Sequence, residues 1–176
     1  MIIKKLLIII ILFNSLLHSQ DKYQRNVEIS IEYDDFENIT WYKPDFPELV
    51  GGGYRPITLY SYIGYKENNC WLRLVFKYES NSYLFIKNII LLYNGNKQEL
   101  QIDFKDKREQ IVNGGILETV DILVDDDLLK YLESYSKSDN AKLRFVGMNY
   151  YYNYEVMEIE KQGLQVVINK YKELKK

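Results

Sequence analysis

Tyr83-Leu84-Phe85-Ile86-Lys87-Asn88-Ile89-Ile90-Leu91-Leu92-Tyr93 runs into Asn94-Gly95-Asn96, and this stretch decides the fold. Asn-Gly supplies the positive φ of a tight hairpin turn. The apolar run before it therefore reads as a strand, and Leu100, Ile102 and Phe104, alternating with polar neighbours, read as the strand that returns. Upstream, Ile57–Tyr65 and Cys70–Tyr78 carry the same composition, and Val27, Ile29, Ile31 and Tyr33 alternate with Glu28, Ser30 and Glu32 at a period of two. Downstream, Asn113-Gly114-Gly115 turns the chain into Ile116–Val124. The expectation is a meander of antiparallel strands.

Two segments break that period. Asp125-Asp126-Asp127 precedes Leu128, Leu129, Leu132 and Tyr135 at helical spacing. A carboxylate at Asp125 or Asp126 would accept from the free N–H groups that begin a helix, here spanning about Asp126 to Ser136. After two more strands, Leu143–Gly147 and Tyr150–Met157, a helix over Ile159–Lys175 places Leu164, Val167, Ile168, Tyr171 and Leu174 on one face, with Lys residues in its last turn. The fold class is α+β: a mainly antiparallel sheet with two helices, the second C-terminal, packed on the sheet.

The first residues read differently. Lys4 and Lys5, the apolar run Leu6–Phe13 and the polar stretch Asn14–Gln20 have the order of a secretory signal, and the apolar run is too short to span a bilayer. Cleavage is expected after Ser19, which leaves residues 20–176 as one soluble domain, exported to the periplasm or secreted. No cysteine stands near the cut, so no lipid anchor is expected. Loss of Lys4 and Lys5 moves the net charge from −2 to −4, which argues against nucleic acid as a partner.

The sole histidine, His18, leaves with that segment. Without it there is no imidazole base and no Ser-His or Cys-His nucleophile. Cys70 is the only cysteine, so neither an internal disulfide nor a multi-Cys zinc site is possible. It shares a strand face with Leu72, Leu74, Phe76 and Tyr78, which points to burial. No metal or cofactor is expected. Asp34, Asp35 and Glu37, near the long loop, are the candidates for carboxylate hydrolysis, which needs no histidine, and solvated turn residues are the ordinary reading. Asp125–Asp127 lacks the alternating spacing of a calcium loop.

Recognition rests on one segment. Trp41-Tyr42-Lys43-Pro44-Asp45-Phe46-Pro47, followed by Gly51-Gly52-Gly53-Tyr54-Arg55-Pro56, reads as a long shaped loop. Trp41, Tyr42, Tyr54 and Arg55 would form a ligand-binding edge for a glycan, a peptide or a partner protein. The competing outcome is that Trp41 and Phe46 fold inward and cap the sheet. Arg73 and Arg144, each in an apolar strand, are weaker anion-binding candidates, since either could instead pair across strands.

From Val27 to Leu174, the run Leu72–Tyr78, the Asn113-Gly114-Gly115 turn, Leu143-Arg144-Phe145-Val146-Gly147, the Tyr-rich strand and the ending Tyr171-Lys172-Glu173-Leu174 resemble a group of small exported bacterial proteins and lipoproteins of unknown function. That resemblance implies the fold and export, and no site residue. The expectation for function is a non-enzymatic binding or accessory domain. The alternatives are an envelope protein acting through self-assembly or protein contacts, and, more distantly, a small carboxylate hydrolase.

Overall fold

Three hairpins share one construction. Glu67-Asn68, Asn94-Gly95 and Asn113-Gly114 each carry two consecutive positive φ angles, 49° and 64°, 44° and 81°, 50° and 82°. This is the backbone a two-residue turn needs to match the twist of paired strands. The turns join Lys66 to Asn69, Tyr93 to Asn96 and Val112 to Gly115. The computed structural model describes residues 26–47 and 56–176. The expected signal segment 1–19, the glycine run, Tyr54 and Arg55 lie outside the described residues.

The elements are β1 (Glu28–Asp34), β2 (Ile39–Asp45), β3 (Leu59–Lys66), β4 (Asn69–Ser80), β5 (Asn88–Tyr93), β6 (Asn96–Gln101), a 3-10 turn (Phe104–Asp106), β7 (Lys107–Val112), β8 (Gly115–Leu123), α1 (Asp126–Tyr135), β9 (Lys142–Val146), β10 (Tyr151–Glu155) and α2 (Glu158–Leu174). The class is α+β as expected, with the C-terminal helix packed on a sheet. The antiparallel strands divide into two sheets, ordered β1-β2-β3-β4-β8-β7 and β10-β9-β5-β6, with β1 to β4 running as a meander.

Two carboxylates explain how the chain passes between the sheets and closes. Residues 83–87, expected to be strand, are a crossover outside both sheets, joined to them by single backbone bonds such as Lys87 N to Val146 O at 2.8 Å and Met148 N to Leu84 O at 3.2 Å. The buried Glu118 carboxylate of β8 accepts from three successive N–H groups, those of Leu84, Phe85 (3.1 Å) and Ile86 (3.0 Å). Phe85 sits at φ 55°, which turns the chain so that these donors converge on one acceptor. Donors spent on Glu118 are not available to a neighbouring strand. Glu160, fully buried at the start of α2, accepts from Thr58 N (2.6 Å), Leu59 N (3.1 Å), Met157 N (2.9 Å) and the Tyr154 hydroxyl (3.0 Å). It ties the entry to β3 to the end of β10 and the first turn of α2.

Register fixes which side chains face the core. In the six-stranded sheet Leu59, Ser61 and Ile63 pair with Phe76, Leu74 and Leu72, and Phe76 pairs with Val120; all are buried. Helix α2 covers this face against β1 to β4 with Leu164, Val167, Ile168 and Tyr171. The four-stranded sheet contributes Ile89, Leu91, Leu143 and Phe145 to the same core. Phe145 meets Phe76 edge-on at 6.5 Å and Tyr78 at 5.8 Å, which joins the inner faces of the two sheets. Helix α1, capped by Asp125 Oδ1 accepting from Leu128 N at 2.8 Å, anchors to the second sheet through the Tyr131 hydroxyl, which donates to Leu91 O and Asn96 O.

Candidate functional site

The phase of β3 and β4 that faces away from the core carries Tyr60, Tyr62 and Gly64 on one strand and Trp71, Arg73, Val75 and Lys77 on the next. Trp41 of β2 lies opposite Gly64, and Gly64 lies opposite Trp71. The row therefore reads Trp, Gly, Trp across three strands. A Cβ on Gly64 would stand 2.3 Å from the Trp71 ring, so the indole fills the space that only glycine leaves open. Trp71 meets Trp41 edge-on at 6.0 Å, and Trp41 tilts against Tyr62 at 5.6 Å. All three rings are half-buried. Such pairs hold one another in place by about 0.5–1.5 kcal/mol each beyond their burial.

Beside this aromatic row sits a closed polar unit. Arg73 donates from Nε to Asp121 Oδ1 and from Nη2 to Asp121 O, both at 2.7 Å, and the Tyr62 hydroxyl donates to Asp121 Oδ2 at 2.8 Å. Burial, and then the hydrogen bond to Asp121, pushes the Tyr62 phenol up, so it stays a donor at neutral pH. Burial, with the Asp121 charge behind it, pushes Tyr60 up as well. Burial works against the Arg73 charge, but its bond to Asp121 outweighs that and holds the guanidinium ionised. Tyr60, Tyr62 and Asp121 line a shallow depression of about 380 Å³ on the open face, together with Trp41, Lys43, Arg108 and Thr119.

The residues singled out from sequence are divided by this geometry. The segment Ile39–Asp45 is strand β2 rather than loop. Pro44 signals a break, yet it stands in the β1 ladder opposite Ile29 and beyond the three residues, 40–42, that pair with β3 among the described residues, a place in a sheet that tolerates proline. Consequently Trp41 and Tyr42 point to opposite faces. Trp41 lies on the open face, whereas Tyr42 turns inward, packs against the core and has the Lys170 ammonium 5.7 Å from its ring. Phe46 also turns inward, its ring 2.8 Å from where a Cβ on Gly163 of α2 would lie. Arg73 and Arg144 are not brought together: they lie in different sheets. Arg144 donates to Asn153 Oδ1 at 2.7 Å and stacks 4.2 Å over Tyr151.

Tyr60, Tyr62, Trp71, Arg108 and Asp121 were missed by sequence reasoning. The signal was present in the strand period: both tryptophans of the chain fall on the phase that faces away from the core. A second depression, around Ile90, Lys142 and Arg144, offers less. Its cations are engaged, Lys142 with Glu155, Lys97 with Glu99 and Arg144 with Asn153.

Asp34 is spent locally, its Oδ1 accepting from Phe36 N and Glu37 N in the β1–β2 turn. Among the described residues no cluster of His, Cys, Asp and Glu is arranged to hold a metal ion, and no helix is long and apolar enough to cross a membrane. No protein-family model, curated protein or solved structure matches the chain, so the functional reading rests on this geometry.

Proposed function

We propose that the protein is an exported, non-enzymatic binding module whose open sheet face takes a carbohydrate. The observation that carries this reading is the placement of Trp41, Trp71, Tyr60 and Tyr62 on the solvent side of the six-stranded sheet around the Arg73–Asp121 pair. Sugar rings present C–H faces that pack on aromatic rings, and hydroxyls that need a few oriented polar partners. Arg73 fixes Asp121, and the rim adds Thr119 and Lys43. A peptide is served less well. Strand-by-strand peptide capture uses free N–H and C=O groups on a sheet edge, whereas the rings stand on interior strands: β4 is paired with β3 and β8, and β3 with β4 along its length and with β2 at residues 63–65.

The test is a thermal-shift screen of the protein against soluble glycans and cell-wall fragments. A ligand at 100 times its dissociation constant stabilises the folded state by about 2.7 kcal/mol. Trp41→Ala is expected to fold and to lose that shift; a shift that survives it removes the open face as the site.

A second reading, assembly through sheet edges, draws support from β1. This edge strand exposes Ile31 (66%) and Tyr33 (57%), and unpaired edges favour strand pairing between chains. It predicts a concentration-dependent oligomer in light scattering and no effect of small ligands.

A further inference from the structure

The charge of the open face narrows the ligand class, on the footing of the carbohydrate reading above. Four cations stand on this face: Lys43 and Arg108 line the depression, and Arg73 and Lys77 flank it through Asp121 and Tyr60. Two are already neutralised: Arg73 bonds to Asp121, and Lys43 pairs with Glu32. The other two are not. Lys77 has its ammonium 5.0 Å over the Tyr60 ring and forms no ion pair, and exposed Arg108 forms none either among the described residues. Glu79, two residues beyond Lys77 on the same face, forms no ion pair with either among the described residues.

Register places Lys77 and Arg108 in one row across the strands. Thr119 of β8 lies opposite Lys77 of β4 on one side and opposite Arg108 of β7 on the other. With strands about 4.8 Å apart, the two cation-bearing backbones stand about 10 Å from each other with a hydroxyl between them. The aromatic row lies toward the other end of the same strands, six residues from Lys77 to Trp71, or about 20 Å. The face is thus graded, with both tryptophans at one end and, beside Tyr60 at the other, two cations that form no ion pair among the described residues. Neither charge has an anionic partner among the described residues, and a guanidinium and an ammonium flanking a hydroxyl suit a carboxylate.

We propose that the ligand is an acidic oligosaccharide, with ring faces on the Trp41–Tyr62 platform and a uronate carboxylate held by Arg108, Thr119 and Lys77. Calorimetric titration with galacturonate, mannuronate and glucuronate oligosaccharides, each beside its methyl ester, isolates the charge while keeping the sugar. At least one acid form is expected to bind about tenfold tighter than its ester. Arg108→Ala and Lys77→Ala should each remove most of that preference, and Trp41→Ala should remove binding of both forms. Equal binding of acid and ester, or an acid preference that survives both cation variants, overturns this inference and leaves the carbohydrate reading standing. Failure of every sugar in the panel, acid and ester alike, with the near-ultraviolet dichroism of a folded protein, overturns both.

Discussion

At the scale of single residues, Gly64 organises the open face more than any side chain there does. The Trp71 indole occupies the position of the Cβ that Gly64 lacks, and Trp41 is set against that indole. Gly64→Ala gains in backbone entropy but must displace the ring. Overpacking of this kind costs about 1–3 kcal/mol, and the damage falls on the platform rather than on the core. The expected result is a folded protein with altered tryptophan emission and weakened glycan binding. Because both tryptophans sit in this row, an emission change reports this face alone; unchanged emission in Gly64→Ala would mean the indole does not lie over the glycine. Asp121→Asn tests the polar unit beside it. It removes the charge that holds Arg73 while keeping the shape, and it should weaken binding without lowering the melting temperature by more than a few degrees, since the pair is only partly buried.

At the scale of elements, the strands that alternated cleanly were legible, and those whose reasons lay elsewhere in the chain were not. β3, β4, β8 and both helices fall within a few residues of their expected bounds, because hydrophobic period and turn chemistry are local facts. β7 was invisible. Its sequence Lys-Arg-Glu-Gln-Ile-Val is that of a charged edge strand with one neighbour and no covered face of its own. β2 was hidden by Pro44, which stands beyond the residues that pair with β3. The crossover at 83–87 read as strand because nothing near it in sequence reveals that its donors belong to Glu118, more than thirty residues away. The site was half legible for the same reason: Trp41 stood out by residue type, whereas Tyr60, Tyr62 and Asp121 become a site only through register. Glu118→Ala leaves three N–H groups in a largely buried segment without an acceptor. At about 1–3 kcal/mol for each unsatisfied donor, a loss of roughly 3 kcal/mol or more is expected in chemical denaturation. A loss under 1 kcal/mol would show that water replaces the carboxylate and that the crossover is not held by it.

At the scale of the whole molecule, one core drawn from both sheets and both helices must supply the stability, as Cys70 has no partner for a disulfide. Unfolding should therefore be a single cooperative transition that reducing agents leave unchanged. Glu160 links three parts of that core, and its titration gives the transition a pH dependence of known sign. Burial pushes its carboxyl up; the N–H groups of Met157, Thr58 and Leu59 and the Tyr154 hydroxyl pull it back without cancelling the effect. A group that binds its proton more tightly folded than unfolded contributes most below its unfolded pKa, and that contribution fades as pH rises through the folded value. Glu160→Gln keeps the size but cannot titrate, and it presents an amide to donors, a cost that is the same at every pH. The stability advantage of the natural chain over Glu160→Gln should therefore be larger near pH 4 than near pH 7, measured as the difference between the two melting temperatures. An advantage that grows instead toward pH 7 would mean that the four donors outweigh burial and that Glu160 is held as a carboxylate throughout.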